Sequence, residues 1–263
     1  MTNLLNTIIS SEKRKNLLLL LKNEPQTWDQ IKTSLNVTAT GMLPQIRILE
    51  KEGLIFHQNK VYSLTCLGTL IVHYLKPFDA TLSVIESQKQ FWQEHDIGSL
   101  PYVFLIRIGE LKDLKIIETS LEESFEPHNQ FLDKIIKSRQ VAGISPIVHP
   151  VYPKFFLSLA REGRKVRLIL TKNAFNKIKR EYFEMLLSGL QYDNAQLWIY
   201  DQDLRFAYIV TDTYFSMGLF FNNGVFDSKR DIVSTDPSAM GWGEDLFMYY
   251  MNRSHPVNKE GEY

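Results

Sequence analysis

The sequence predicts an α+β protein in two parts: a winged helix-turn-helix head, then an α/β domain on a mixed sheet. Three observations carry that prediction. From Thr27 to Thr65 the chain reads TWDQIKTSLNVTATGMLPQIRILEKEGLIFHQNKVYSLT. Two short amphipathic helices, a tight turn, a glycine stop and a two-stranded ribbon follow one another there. Beyond residue 98, apolar strand segments alternate with helical ones, the rhythm of a partly parallel sheet. The last strand segments have no helix between them, which points to an antiparallel edge.

The elements follow in order. Ser11 caps a helix whose Leu17 to Leu21 run is apolar nearly all round, so it is buried on more than one side. Pro25 ends the connection and Thr27 caps the next helix, Trp28 to Leu35. Trp28, Ile31 and Leu35 are spaced by three and four on its inner face. Asn36 and Val37 make the turn. The next helix starts at about Thr40 or Gly41 and runs to Glu52, with Leu43, Ile46 and Leu49 inward. Pro44 is then tolerated in the first turn, where its missing N–H has no intrahelical partner. Gly53 supplies a left-handed stop. Leu54 to His57 and Lys60 to Leu64 form the wing, and a helix from Thr65 to Leu75 follows. Pro77 and Phe78 close the head.

Asp79 to His95 has one more helical pattern. After it come a strand at Lys115 to Glu118 and a helix at 127–137. A strand at Val141 to Ser145 precedes a helix at 150–162, and one at Val166 to Leu170 precedes a helix at 173–189. Strands at Gln196 to Tyr200, Arg205 to Thr211 and Tyr214 to Phe221 lead to a turn at 222–224, and a last helix spans Ala239 to Met251. These elements divide the chain into a head (1–78), a linker or dimerisation helix (79–98) and an effector domain (99–263).

Composition bounds the function. The 263 residues carry 30 Lys+Arg and 30 Asp+Glu, a formal net charge of zero. The charges are unevenly placed: residues 1–76 hold 9 basic and 5 acidic side chains, and the remainder 21 and 25. The basic excess lies on the head, where a DNA contact would need it. The single cysteine, Cys66, excludes an intrachain disulfide and a cysteine-rich zinc site, and its apolar surroundings predict a buried thiol. This usage fits a reducing cytoplasm. No stretch approaches the ~20 apolar residues that span a bilayer. The N-terminal charges follow the apolar residues, the reverse of a signal peptide.

If Leu43, Ile46 and Leu49 face inward, the second helix of the head turns Gln45, Arg47 and Lys51 outward, with Thr38 and Thr40 at its N-terminal end. Base readout in such modules concentrates at that end. The threonine hydroxyls are short donors and acceptors, Gln45 can pair bidentately with adenine, and Arg47 can reach guanine or phosphate. Lys51, Asn59 and Lys60 are placed for phosphates. In the remainder, His149 before a helix, Arg167 at a strand start, Asp212 between two apolar strands and Trp242 opening the last helix are the candidate ligand-binding residues. Arg167 belongs to a basic group with Arg164 and Lys165 that can take an anion. Ordinary structural roles compete for all four: a helix lead-in, a solvated loop, a hairpin turn and core packing. The chain lacks GxGxxG after a strand, a P-loop, HExxH and GxSxG. None of its six histidines pairs at metal-ligand spacing, so no metal, cofactor or catalytic residue is assigned.

Several segments together resemble the archaeal winged-helix transcriptional regulators found mainly in methanogens. They are TGMLPQIRILEKEGLI and YSLTCLG in the head, FWQEHDIGSLP after it, AGISPIVHPVYPKF in the middle, and FAYIVTDTYFSMGLFFNNGVFD and GWGEDLFMYY near the end. The resemblance implies a DNA-binding regulator, dimeric, whose effector domain is of the methanogenesis-regulator type and responds to a metabolic or stress state. The effector half is also similar to the phospholipase-D-like sensor domains of archaeal sugar-responsive regulators. The enzymes of that superfamily carry His-x-Lys, and no histidine here is followed by lysine two positions on. A shared fold would therefore bind rather than hydrolyse. The expected partners are double-stranded DNA, a second copy of the chain and a small-molecule effector, with no membrane. Two rivals stand beside this reading: a phosphodiesterase-like enzyme with an accessory head, and a module that contacts transcription proteins.

Overall fold

The computed structural model describes residues 4–118 and 129–263. It divides into two units, Met1–Ala80 and Thr81–Tyr263.

The first unit opens with α1 (Leu4–Ile9) and α2 (Glu12–Leu21). The Ser11 side chain accepts from Arg14 N and caps α2. A two-residue strand, β1 (Gln26–Thr27), leads into α3 (Trp28–Leu35). Thr27 and Gln30 form a reciprocal capping box, which satisfies two backbone donors that the helix start leaves unpaired. Asn36 ends α3 in the left-handed conformation, and Thr38 caps α4 (Ala39–Lys51). Gly53 takes φ +67° after α4, where a side chain would be strained. Strands β2 (Ile55–Gln58) and β3 (Val61–Leu64) pair antiparallel through a two-residue turn. Both turn residues, Asn59 and Lys60, have positive φ, as the twist of a tight hairpin requires. The sheet order is β1-β3-β2, so the strand before α3 closes the wing. Its brevity hid it from the sequence pattern.

Leu17, Leu18, Ile31, Met42, Ile46 and Leu49 form the core of this unit. Met42 takes the fully buried place expected for Leu43, which is only partly buried; the helix starts earlier and rotates its inner face accordingly. Pro44 consequently lies in the second turn of α4 and leaves the Thr40 carbonyl without its helical donor. Thr40 is exposed, so water can meet that carbonyl and limit the cost.

The next helix, α5 (Cys66–Ser87), overruns the expected stop at Leu75 and passes through Pro77. A proline inside a helix costs about 3 kcal/mol. Burial on both sides offsets it: Val72 and Leu75 lie in the core of the first unit and Val84 in that of the second. Cys66, expected to be buried, is exposed at the first position of α5.

The second unit continues with α6 (Lys89–Glu94) and α7 (Tyr102–Leu105). Phe91 and Trp92 of α6 are core residues, so the segment expected to be a linker is partly built into this unit. Strand β4 (Lys115–Glu118) and helix α8 (Asn129–Ile136) follow. The expected helix start at 127 and His128 lie outside the described residues. Then come β5 (Gln140–Ser145), α9 (Tyr152–Arg161), β6 (Lys165–Thr171), α10 (Lys172–Glu181) and α11 (Phe183–Leu190). The helix expected over 173–189 is thus divided at Tyr182. Strands β7 (Ala195–Tyr200), β8 (Phe206–Thr211), β9 (Phe215–Leu219) and β10 (Arg230–Ser234), helix α12 (Pro237–Met251) and the short β11 (His255–Pro256) complete the chain.

The strand order is β11-β7-β6-β5-β8-β9-β10-β4. β5, β6 and β7 are parallel and all other pairs antiparallel. The fold is α+β with a mixed sheet. One sheet face packs on α12 through Trp242, Leu246 and Phe247, and the opposite face takes α9 and α11.

Candidate nucleic-acid interface and ligand cavity

In the head, Thr38, Thr40, Arg47, Lys51, Asn59 and Lys60 are all exposed. Thr38 Oγ1 accepts from Gly41 N at 3.3 Å and lies 3.3 Å from Thr40 Oγ1, so the two hydroxyls meet at the first turn of α4. Lys13, missed in the sequence, joins this end: a β-carbon on Gly41 would stand 2.7 Å from its Nζ. Asn59 and Lys60 occupy the tip of the β2–β3 turn.

Gln45 departs from expectation. It is half-buried, and its Oε1 accepts from Arg14 Nη1 at 2.5 Å. Arg14 also donates to the Thr7 carbonyl and, at 2.9 Å, to Ser10 Oγ. One guanidinium therefore ties α1, α2 and α4 together. The amide oxygen needed for a bidentate adenine contact is already used.

Three of the four candidate ligand residues are occupied within the second unit. Arg167 forms a two-pronged ion pair with Glu244 at 2.7 and 2.8 Å and lies over the Phe247 ring, on the α12 side of the sheet. Asp212 is an exposed turn residue that accepts from Arg139 N at 3.0 Å. Trp242 is fully buried, donates to the Phe104 carbonyl at 3.2 Å, and packs edge-on against Phe104 and Phe215. The fourth, His149, lines a cavity that the other three do not. Its Nδ1 faces Val151 N at 3.4 Å, and its ring is 5.4 Å from Tyr152.

That cavity, about 310 Å³, lies between the sheet and the helices α9 and α11. Side-chain size along the strands makes it. Gly143 stands between Leu168 and Ile209 in the pairing, Ile209 opposite Ser216, and Ala207 opposite Gly218. Alternate residues of a strand share a face. Gly143, Ala207, Ser216 and Gly218 therefore leave a hollow over the middle strands, which aliphatic side chains from α9 and α11 roof.

Asp231 of β10 is among the residues that line this hollow and is partly buried. A β-carbon at Gly218 would stand 2.7 Å from its Oδ1 and 3.0 Å from the Phe226 ring, so a larger residue there would displace one or both. Desolvation raises its pKa to about 6; the nearby Asp227 adds to the rise and a hydrogen bond with Ser216 opposes it. Burial, then the Asp231 charge, raises the Tyr152 and Tyr214 hydroxyls, Tyr214 to about 12. Asp227 is held elsewhere. It lies 3.1 Å from Nε2 of buried His95, accepts from Arg230 Nε at 2.8 Å, and caps Lys229 N and Arg230 N. His95 is stacked between Phe91 and Phe221, and its Nδ1 is 2.7 Å from the Phe91 carbonyl. RDIVS carries no period-2 alternation, so only the pairing of β10 with β9 places Asp231 beside Gly218.

Among the described residues no cluster of three or more His, Cys, Asp or Glu could hold a metal, and no helix is long and apolar enough to cross a membrane.

These features define a winged-helix protein whose second unit is a mixed-sheet domain with a partly open cavity. Two family models match it: the N-terminal domain of methanogenesis regulatory protein FilR1 over residues 2–83, and the middle domain over 124–253. The chain belongs to this methanogenesis regulatory family. It is 28% identical over 257 residues to methanogenesis regulatory protein FilR1 of Methanothrix harundinacea (strain 6Ac), covering 95% of this chain and 57% of that protein. The chain thus spans just over half the length of that relative. Among solved structures it overlaps TrmBL2, described as an archaeal chromatin protein with a novel mode of DNA binding, at TM-score 0.43 and 12% identity over 93% of this chain and 94% of that one. It overlaps the phospholipase D family member Nuc from Salmonella typhimurium at TM-score 0.41 and 11% identity over 56% and 98%. These are partial overlaps.

Proposed function

We propose that the protein is a cytoplasmic, DNA-binding transcriptional regulator that works as a homodimer, its second unit sensing a small molecule. The observation that carries this is the surface of α4 and the wing. Thr38 and Thr40 crown the N-terminal turn, Arg47 and Lys51 extend from the helix, and Lys60 stands at the tip of the ribbon, all exposed. A helix with short hydroxyls at its N-terminal end and cations along its length suits a major groove, with the wing on the adjacent backbone. Membership of a regulatory family supports the same reading. The sensor role is supported by the cavity. The dimer is supported by an apolar row on α5, where Leu67, Leu70, Tyr74 and Phe78 recur at three- and four-residue spacing and are exposed. The absence of His-x-Lys supports a binding rather than a hydrolytic second unit. Selection of binding sites from random double-stranded DNA tests the regulator reading. Recovery of a two-fold symmetric motif, bound with a steep salt dependence, is expected; no enrichment, and no retarded oligonucleotide at low ionic strength, would overturn it.

A further inference from the structure

The cavity is built for one kind of guest. Most of its wall is aliphatic or aromatic, from Ile144 and Leu168 to Phe156 and Leu186. Its lining contains no lysine or arginine among the described residues. It contains two carboxyls, and Asp227 is already engaged by Arg230 and His95. Asp231 has no ion-pair partner among the described residues, and its neighbours are the Ser216 hydroxyl, Gly218 and the rings of Tyr152 and Tyr214. A carboxyl in such surroundings is costly to ionise unless a cation arrives with the guest. An anionic guest would meet two carboxyls and no lysine or arginine, with His149 the one lining residue among those described that can carry positive charge. Gly218 has no other evident use for its missing side chain than to admit Asp231 Oδ1 and Phe226.

We propose that this hollow binds a small amphiphile with an apolar body and a protonated amine, the amine paired with Asp231 and the body lying over Gly143 and Ala207 beneath α9 and α11. The proposal rests on the reading of the second unit as a sensor and gives that sensor its ligand class.

Calorimetric titration of the full chain at neutral pH with octylamine, octanol and octanoate tests it. Octylamine is expected to bind roughly tenfold tighter than octanol, with octanoate weakest. In Asp231→Asn the advantage of the amine over the alcohol disappears while octanol binding persists. Ala207→Leu fills the hollow and loses all three, circular dichroism confirming that it folds. Octanoate binding as tightly as octylamine, an amine preference that survives Asp231→Asn, or no binding of any probe would overturn the proposal. DNA affinity measured with and without octylamine separates the two readings. Bound amine with unchanged DNA affinity removes the sensor role and leaves the site; absent binding removes the site and leaves the DNA-binding head untouched.

Discussion

Arg14 Nη1 donates to Gln45 Oε1 at 2.5 Å, joining α2 to α4. A hydrogen bond to a charged group contributes about 1.5–3 kcal/mol. A bidentate adenine contact would have to break it. Gln45 is therefore held by the scaffold of the head, and under the proposed function base contacts would fall to Thr38, Thr40 and Arg47. Gln45→Ala is expected to lower the unfolding midpoint and to weaken all DNA sequences alike. Arg47→Ala should instead flatten the preference at one position by about 1–3 kcal/mol. Binding-site selection with both variants checks this; a positional change in preference for Gln45→Ala would return base reading to Gln45.

Lys60 sits at the wing tip with positive φ, in a conformation set by the turn. Its charge is exposed, so under the proposed function it would contact phosphate without reading sequence. Lys60→Ala should weaken every sequence to a similar degree and reduce the slope of log affinity against log salt by about one. Titrations at several salt concentrations measure the slope, and an unaltered slope removes Lys60 from the contact.

The head was legible because its signals are local. Capping residues such as Thr27 and Thr38, the left-handed Asn36 and Gly53, and the Asn59–Lys60 turn each act within a few residues of their own position. The overrun of α5 through Pro77 was not legible, since only burial of Val72 and Val84 in two separate cores explains it. The cavity was hidden for a related reason. Gly143, Ala207, Ser216, Gly218 and Asp231 are spread over nearly ninety positions and become neighbours only through the pairing of four strands. Arg167, in the basic group at a strand start, and Trp242, opening the last helix, are candidates by residue type, yet the chemistry of each is satisfied within the second unit.

Asp231 gives the folded chain a specific pH dependence. Its pKa rises from an ordinary 3.8 to about 6 on folding. Below about pH 4 the carboxyl is protonated in folded and unfolded chains, and its contribution to stability is fully present. As pH rises through about 6, the unfolded chain has already ionised and the folded chain must follow, so stability is lost. The interval corresponds to on the order of 3 kcal/mol at most. Asp231→Asn should therefore be more stable than the parent at pH 8, the difference closing toward pH 4. Urea midpoints across that range measure it, and parallel curves for the two proteins would show that folding leaves the carboxyl unperturbed.

The Arg167–Glu244 pair offers a contrast on the other sheet face. The arginine side chain is 9% exposed and the glutamate 40%, so the arginine bears most of the desolvation. Its Nε has no hydrogen-bond partner among the described residues, and its guanidinium rests over Phe247. Removing only the glutamate strands a buried cation, so Glu244→Ala is expected to destabilise by about 2–4 kcal/mol. Arg167→Met with Glu244→Gln should recover most of that loss, because the methionine packs on Phe247 without charge. Neither variant should alter the binding of octylamine. Denaturant midpoints and calorimetry on the same samples check both halves, and altered amine binding would draw Arg167 back toward the ligand site.

The apolar row on α5 bears on how the head finds DNA. Tyr74 is 69% exposed and Leu67 60%, an unusual display for side chains on one helix. A second copy seated on Leu67, Leu70, Tyr74 and Phe78 would bury them in a helix-to-helix seam and hold two heads at a fixed separation. Two heads on one duplex gain affinity because the second contact becomes intramolecular, by about 10²-fold or more when the spacing fits. Leu70→Lys with Tyr74→Lys should convert a dimer to a monomer in analytical ultracentrifugation and reduce affinity for a two-half-site duplex by that order. Affinity for a single half-site should be unchanged, since the substitutions lie off α4 and the wing. A variant that stays dimeric, or that weakens half-site binding equally, would move the interface off this helix.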